Sequence, residues 1–280
     1  MTLMLFPALL MILSGSIHAV VNALIKTPEG GGDRLVQMII VSGSSTVLIA
    51  PFIFFVDLPH GAWGWLAAAS AVHIVYFYTL VKALDGGDLS SAYPIFRGSA
   101  PLLTMLLAIT FQGEVVTAAT IVGIALIGGG MLAMIAGKHV DRATLGWSLA
   151  TGVLIAVYTV VDAAGVRQAP TAASFIVWLF FGMGILTLGV LPFFTKVSLL
   201  SAAKKQWRGG ISAGVLSILT FGLALYAFSL GPTAPLAALR ETGMVTALLV
   251  SIFVLKEQVT AGRVLAILTI CAGAMLIILG

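Results

Sequence analysis

Ten apolar runs occupy most of the 280-residue chain, at residues 3–24, 35–56, 62–81, 90–111, 117–136, 144–165, 172–194, 209–229, 233–255 and 259–279. Each is about as long as an α-helix must be to cross the hydrocarbon core of a bilayer, roughly 20 residues at about 1.5 Å per residue. The runs are evenly apolar. Strands of a membrane barrel would instead alternate polar and apolar residues over about ten positions, so the runs read as helices. Only 9% of the residues are charged, against 60% in the apolar set. So few charges cannot cover so much apolar surface in water, which excludes a soluble enzyme, a disordered chain and a nucleic-acid binder. The expected class is an all-α integral membrane protein with ten transmembrane helices.

The dividers are short and polar. Lys26 to Arg34, Asp85-Gly-Gly-Asp88, Lys138 to Arg142 and Lys196 to Arg208 read as loops, the last being the longest. Trp63, Trp65, Trp147 and Trp207 fall at run ends, where an interfacial aromatic belt belongs. No Lys or Arg precedes the first run, so it is read as a retained span and not as a cleaved leader. The single Cys271 excludes an internal disulfide and reads as packing. Eleven Lys and Arg residues are assigned to the dividers after runs 1, 3, 5, 7 and 9, and Arg167 alone to those after runs 2, 4, 6 and 8. This asymmetry places both termini outside a cell membrane.

The sequence also repeats itself. With an offset of 143, Arg97 falls on Arg240, Glu114 on Glu257, Val116-Thr-Ala118 on Val259-Thr-Ala261 and Gly130 on Gly273, with 12 identities over the 41 positions from 97 to 137. With an offset of 140, His18-Ala-Val-Val-Asn-Ala23 falls on Tyr158-Thr-Val-Val-Asp-Ala163. Residues 1–137 and 138–280 are therefore read as two five-helix repeats. Five is odd, so the second repeat enters the bilayer from the opposite side. Such inverted repeats are common in secondary transporters, where two copies of one bundle exchange conformations around a central site.

Two motif series follow this repeat. Tyr93-Pro-Ile-Phe-Arg-Gly98 leads to Gly113-Glu114 and then Gly128-Gly-Gly130; Pro235-Leu-Ala-Ala-Leu-Arg-Glu-Thr242 leads to Leu255-Lys-Glu257 and then Cys271-Ala-Gly273. Over essentially its whole length the chain resembles the EamA-type family of the drug/metabolite transporter superfamily. The resemblance implies ten helices around a central cavity, alternating access and export of amino acids or other small metabolites. In the second series Lys256 stands where the first has Gly113.

Arg97 and Arg240 each lie about four residues from the midpoint of a run, or about 6 Å from the midplane. A charge there costs at least about 2.5–3.5 kcal/mol unless it is paired or hydrated. The two are expected to flank one central, hydrated cavity, with Glu241 pairing to Arg97 across it. Three readings stay open: an Arg–Glu–Arg cluster that locks helices together, guanidinium groups that bind a carboxylate or phosphate in bidentate fashion, or an Arg that snorkels to the interface. Pro94, Pro101 and Pro235 are expected to interrupt the fourth and ninth helices. Asp162, matched by Asn22, is a candidate proton site or else a carboxylate that reaches interfacial water or Arg167. His18 is a second proton candidate, and both it and His73 can alternatively be packing residues. Tyr93, Tyr158 and Trp178, with Tyr76, Tyr78 and Tyr226, either line the cavity and stack on substrate or pack helices. Glu114 and Glu257 are expected to organise loops on opposite faces.

The sequence has no His-Glu-x-x-His pattern and no Gly-x-x-x-x-Gly-Lys-Ser/Thr pattern, so neither a zinc protease nor direct use of ATP is expected. No cofactor or metal is expected. The expected partners are a small-molecule substrate and the lipid bilayer, without nucleic acid; the oligomeric state is left open by the sequence, with a monomer compatible with it. These features converge on a secondary carrier exporting a small polar metabolite, such as an amino acid or another carboxylate. The competing classes are a channel or scaffold, and an intramembrane enzyme.

Overall fold

The computed structural model describes residues 2–25, 34–85, 89–253, 256 and 260–280, with backbone alone at 2–3, 20–25, 89–90 and 251. The described residues form helices and no strand. In chain order these are α1 (Thr2–Ile25), α2 (Arg34–Ile49), α3 (Trp63–Asp85), α4 (Leu89–Gln112), α5 (Ala118–Ala133), α6 (Arg142–Gln168), α7 (Ala172–Val190), α8 (Leu199–Leu230), α9 (Thr233–Arg240), α10 (Gly243–Phe253) and α11 (Ala261–Leu279). Among the described residues, seven helices are long and apolar enough to cross a membrane, and the apolar stretches Met4–Ala19 and Ala118–Ala133 are shorter. The outside is apolar, with Phe54, Phe111 and Phe193 each more than three-quarters exposed. Ser14, Thr104, Ser148, Thr151 and Asp162 are instead fully enclosed. Apolar outside and polar within is the arrangement a lipid solvent selects.

The repeated Val-Thr-Ala segment has a local cause. Thr117 caps α5 by accepting the Thr120 amide at 3.2 Å, and Thr260 caps α11 by accepting the Arg263 amide at 3.4 Å. Each hydroxyl satisfies one of the unpaired N–H groups at a helix start. The packing follows the repeat as well. α1 packs on α8 and on α9–α10, as α6 packs on α3 and α4, while α5 and α11 pair with each other across the halves. Gly123 lies against the Gly273 backbone, and Gly130 against the Ala266 backbone. The 143-residue offset turns the first of these contacts into the second. Their order, rising in α5 while falling in α11, makes the two helices antiparallel.

Two expectations are corrected. The Lys196 to Arg208 stretch is largely helical: α8 begins at Leu199 because Ala202-Ala-Lys-Lys-Gln206 are good helix formers and no Gly or Pro intervenes before Gly209. The prolines do not interrupt their helices. α4 runs unbroken through Pro94 and Pro101, and Pro235 lies in the first turn of α9, where a missing N–H costs no helical bond. The ninth apolar run breaks instead at Glu241-Thr242. There the amides of Glu241, Thr242, Met244 and Val245 bond three residues back, to Ala238, Leu239, Glu241 and Thr242. The Thr242 hydroxyl donates to the Leu239 carbonyl at 2.7 Å, competing for the helix acceptor.

At the break α1 crosses so closely that a methyl on Gly15 would collide with the Arg240 carbonyl, and one on Gly243 with the Gly15 backbone. Gly15→Ala and Gly243→Ala are therefore expected to destabilise by about 1–3 kcal/mol through overpacking. Gly129→Ala and Gly189→Ala, where an added methyl meets nothing within 4 Å, serve as neutral controls. Thermal unfolding of the purified protein in detergent separates the two pairs.

Candidate functional site

The break between α9 and α10 carries charge into the interior. Arg97 reaches it from α4, with its Nε 3.0 Å from Glu241 Oε2, and both residues are buried. Apart from this ion pair, Arg97 Nε and Glu241 Oε2 have no partner. The Arg240 guanidinium lies 5.7 Å from the centre of the Phe221 ring, and its Nε also has no hydrogen-bond partner. No carboxylate lies within 4 Å of Arg240 among the described residues. The Arg97 guanidinium stands 5.9 Å from the Tyr93 ring centre.

His18 and Gly15 of α1 and Met244 of α10 complete the wall. The enclosed void measures about 10 Å³, room for one water at most. The arginines thus flank a shared space, but in this conformation it is closed and not the hydrated hollow expected. The Arg97–Glu241 pair, Tyr93 and Met244 converge on that space.

A second cluster adjoins the first through Phe221. Asp162 is fully enclosed, and neither carboxylate oxygen has a hydrogen-bond partner. His73 Nε2 stands 3.7 Å from its Oδ2. His73 Nδ1 is 2.9 Å from the Ala69 carbonyl, so Nδ1 donates and Nε2 is left to face the carboxyl group. The imidazole stacks on Tyr158 at 4.3 Å and meets Phe221 edge-on at 5.5 Å. Asp162 therefore meets His73, and not interfacial water, Arg167 or His18. Trp178 stands apart from both clusters, with ring contacts to Trp63 at 5.4 Å and Phe181 at 6.1 Å. Its place on α7, early in that helix, sets it beside the start of α3.

The third arrangement joins four helix ends. Glu114, just past α4, accepts the Thr233 amide at 2.8 Å and the Ala234 amide at 3.2 Å, so a carboxylate from the first half caps α9 of the second. The negative group also suits the positive end of the α9 dipole. Arg167 donates from Nε to the Phe228 carbonyl at 2.9 Å and from Nη2 to the Gly231 carbonyl at 2.6 Å, satisfying the end of α8. Gln112 Oε1 accepts from the Thr233 hydroxyl at 2.6 Å and from Arg167 at 3.4 Å, while its amide donates to the Val160 carbonyl at 2.8 Å. Arg167 is thus committed to this network, which is why it does not serve Asp162. Burial pushes the Glu114 carboxyl above its ordinary range, and the two amides and Arg167 pull the other way.

Glu114, Arg167 and Gln112 line an open cavity of about 350 Å³ at this end of the bundle. Glu257, Asp88 and the Asn22 side chain lie outside the described residues. Among the described residues, no three His, Cys, Asp or Glu side chains gather to hold a metal ion. Phe221 and Gln112 carried no signal in the sequence, because one is an ordinary apolar residue and the other follows a run end.

Residues 5–136 and, separately, 143–279 match the EamA-like transporter family. The chain belongs to the EamA-like transporter family. It is accordingly a multi-pass membrane protein of a family of transporters, not of enzymes. No curated protein matches the EamA chain in sequence. One solved crystal structure is similar over 98% of this chain and 96% of its own, with a TM-score of 0.75 and 16% identity, a likeness that speaks for the fold alone.

Glu114→Ala leaves the Thr233 and Ala234 amides of α9 without their acceptor. It is expected to cost about 1–2 kcal/mol, the size of a lost N-cap with its charge, with Glu114→Gln intermediate. Melting temperatures of the two variants against the unaltered protein check this order.

Proposed function

We propose that this EamA protein is a secondary carrier for a small anionic metabolite, a carboxylate or an amino acid held by its carboxylate, and that it works by alternating access. The observation that carries the reading is Arg240, whose guanidinium Nε is enclosed without a hydrogen-bond partner beside an Arg97–Glu241 pair where α9 breaks. Two arginines and one glutamate leave a net charge of +1 in an apolar surround. No carboxylate within 4 Å takes up Arg240 among the described residues, and a planar guanidinium selects a carboxylate or phosphate oxygen pair. Broken helices at membrane depth are a recurrent support for such sites. Tyr93 and His18 line the same space and would meet the substrate. Glu241 holds Arg97.

Alternating access is supported by the two-part family match and by the antiparallel crossing of α5 and α11, which together favour inverted repeats over residues 1–137 and 138–280. The closed void at the arginines, with a wider cavity behind the Glu114 cap, is what a carrier between its open states would present. On this reading Glu114, Gln112 and Arg167 form the gate of one face. The Lys and Arg asymmetry supports placing that face, and both termini, outside the cell membrane, and export remains what the family resemblance implies.

The test is uptake into liposomes of radiolabelled carboxylates, amino acids and phosphate. Arg240→Ala is expected to lower transport about 10- to 100-fold, the worth of a charge-assisted hydrogen bond of about 1.5–3 kcal/mol. Arg97→Ala should also lower the melting temperature, because it strands Glu241 as a buried, unpaired charge. Undiminished transport by Arg240→Ala would remove the assignment.

A further inference from the structure

We infer that His73 and Asp162 form a proton-binding site, and that the carrier moves its anion together with one proton held by that pair. The inference rests on reading Arg97 and Arg240 as the anion site, and adds the coupling ion.

The geometry is that of a site built for one proton. Asp162 is enclosed on α6 with both oxygens lacking a donor. His73 of α3 presents Nε2 at 3.7 Å, and its Nδ1 is already committed to the Ala69 carbonyl. Without an added proton, a lone pair faces a carboxylate. With one, the pair becomes either imidazole and carboxylic acid or imidazolium and carboxylate, and its charge rises by one.

The other groups facing Asp162 are few. Tyr76 of α3 and Tyr158 of α6 pack at the pair, and the adjoining arginine cluster holds Arg97 and Tyr93 of α4, Arg240 at the end of α9 and Glu241 just past it. α8 presents Phe221 to this cluster, and the sequence of α7 has no titratable side chain. Arg240 is within electrostatic reach of both Asp162 and Glu241. His18, beside both guanidinium groups, is counted neutral.

The charge arithmetic links the two ligands. Arg97, Arg240 and Glu241 sum to +1, and an unprotonated His73–Asp162 pair brings the interior to zero. An anion that takes Arg240 removes the charge opposing Asp162, leaving an interior at −1 that a single proton restores to zero. In an interior of low dielectric the empty, unprotonated state and the doubly loaded state are therefore the two favoured ones. Binding of either ligand raises the affinity for the other by the same factor. The site is not duplicated: the repeat partner of Asp162 is Asn22, and that of Tyr158 is His18.

Liposomes with a trapped pH indicator test the linkage, using pyruvate, glutamate and inorganic phosphate as separate probes. Entry of a probe should acidify the lumen by one proton per anion, and uptake should fall about tenfold per pH unit once the pair loses its proton. Asp162→Asn should abolish the proton movement and flatten the pH profile. Independently of any anion, infrared difference spectra on acidifying the protein should show a buried carboxylic acid band that Asp162→Asn removes. Where that variant does not fold, His73→Gln should shift the pH at which the band appears. Entry of a probe without protons, or a band indifferent to both substitutions, overturns the inference. Failure of all three probes, together with an intact and Asp162-dependent band, would count against the anion reading and leave the proton site standing.

Discussion

A helix cannot end inside a bilayer without finding partners for the backbone groups it releases. Lipid offers none, and each unsatisfied group costs several kcal/mol. The break between α9 and α10 meets this constraint with its own short-range turn bonds and with Gly15 and Gly243 pressed backbone to backbone. The same turn fixes where Arg240 and Glu241 point. Had the run continued as one helix, the two neighbours would project about 100° apart with an uninterrupted ladder beneath them. The break lets Glu241 reach Arg97 while Arg240 turns towards Phe221. The charged site is thus a consequence of how the interruption is sealed.

Much of this was legible in the residues. Evenly apolar runs set the class, the Arg and Glu matches between halves exposed the repeat, and the motif series pointed to the EamA family that the chain belongs to. The pairing of Arg97 with Glu241 followed from the high cost of an unpaired charge at that depth. What escaped was non-local. The helix break sits at Glu241-Thr242, six residues past the proline that seemed to announce it, because Pro235 falls in a first turn where proline is harmless. That His73 and not His18 meets Asp162 depends on the rotation of α3 against α6, which no spacing along one helix encodes. Trp178 had the same residue type and depth as a cavity aromatic, yet its helix presents it to Trp63.

The two halves share a scaffold and differ in chemistry. The N-caps Thr117 and Thr260, the Gly123–Gly273 and Gly130–Ala266 contacts and the paired arginines obey the repeat. Symmetric contacts of this kind are what the proposed exchange of conformations between the halves would require. Titratable groups in the first and sixth runs do not obey it. His18 faces Tyr158 in the alignment, and Asn22 faces Asp162. If the proposed carrier alternates between two packings, the symmetric frame brings their energies close and the asymmetric charges let a ligand or a proton tip the balance, by as much as the two packings differ in how they serve those charges.

The Glu114 cap offers the proposed carrier a route by which such a tip would be transmitted. α9 has only eight residues, with the carboxylate of the other half at its start and Arg240 at its end. In the proposed carrier, a helix this short would move as a rigid rod, so that a displacement at Arg240 on binding an anion would be carried directly to the amides that Glu114 holds. Those amides have no helical acceptor of their own. Leaving Glu114 therefore costs the cap, and any motion that opens this face must exchange that carboxylate for water or for another acceptor. Arg167, fixed to carbonyls at the end of α8, keeps Gln112 and Thr233 in register while α9 is docked. On the proposed carrier reading, the arginine site and the Glu114 cap are the two ends of one rod, and the energetic coupling between them lies in α9 itself.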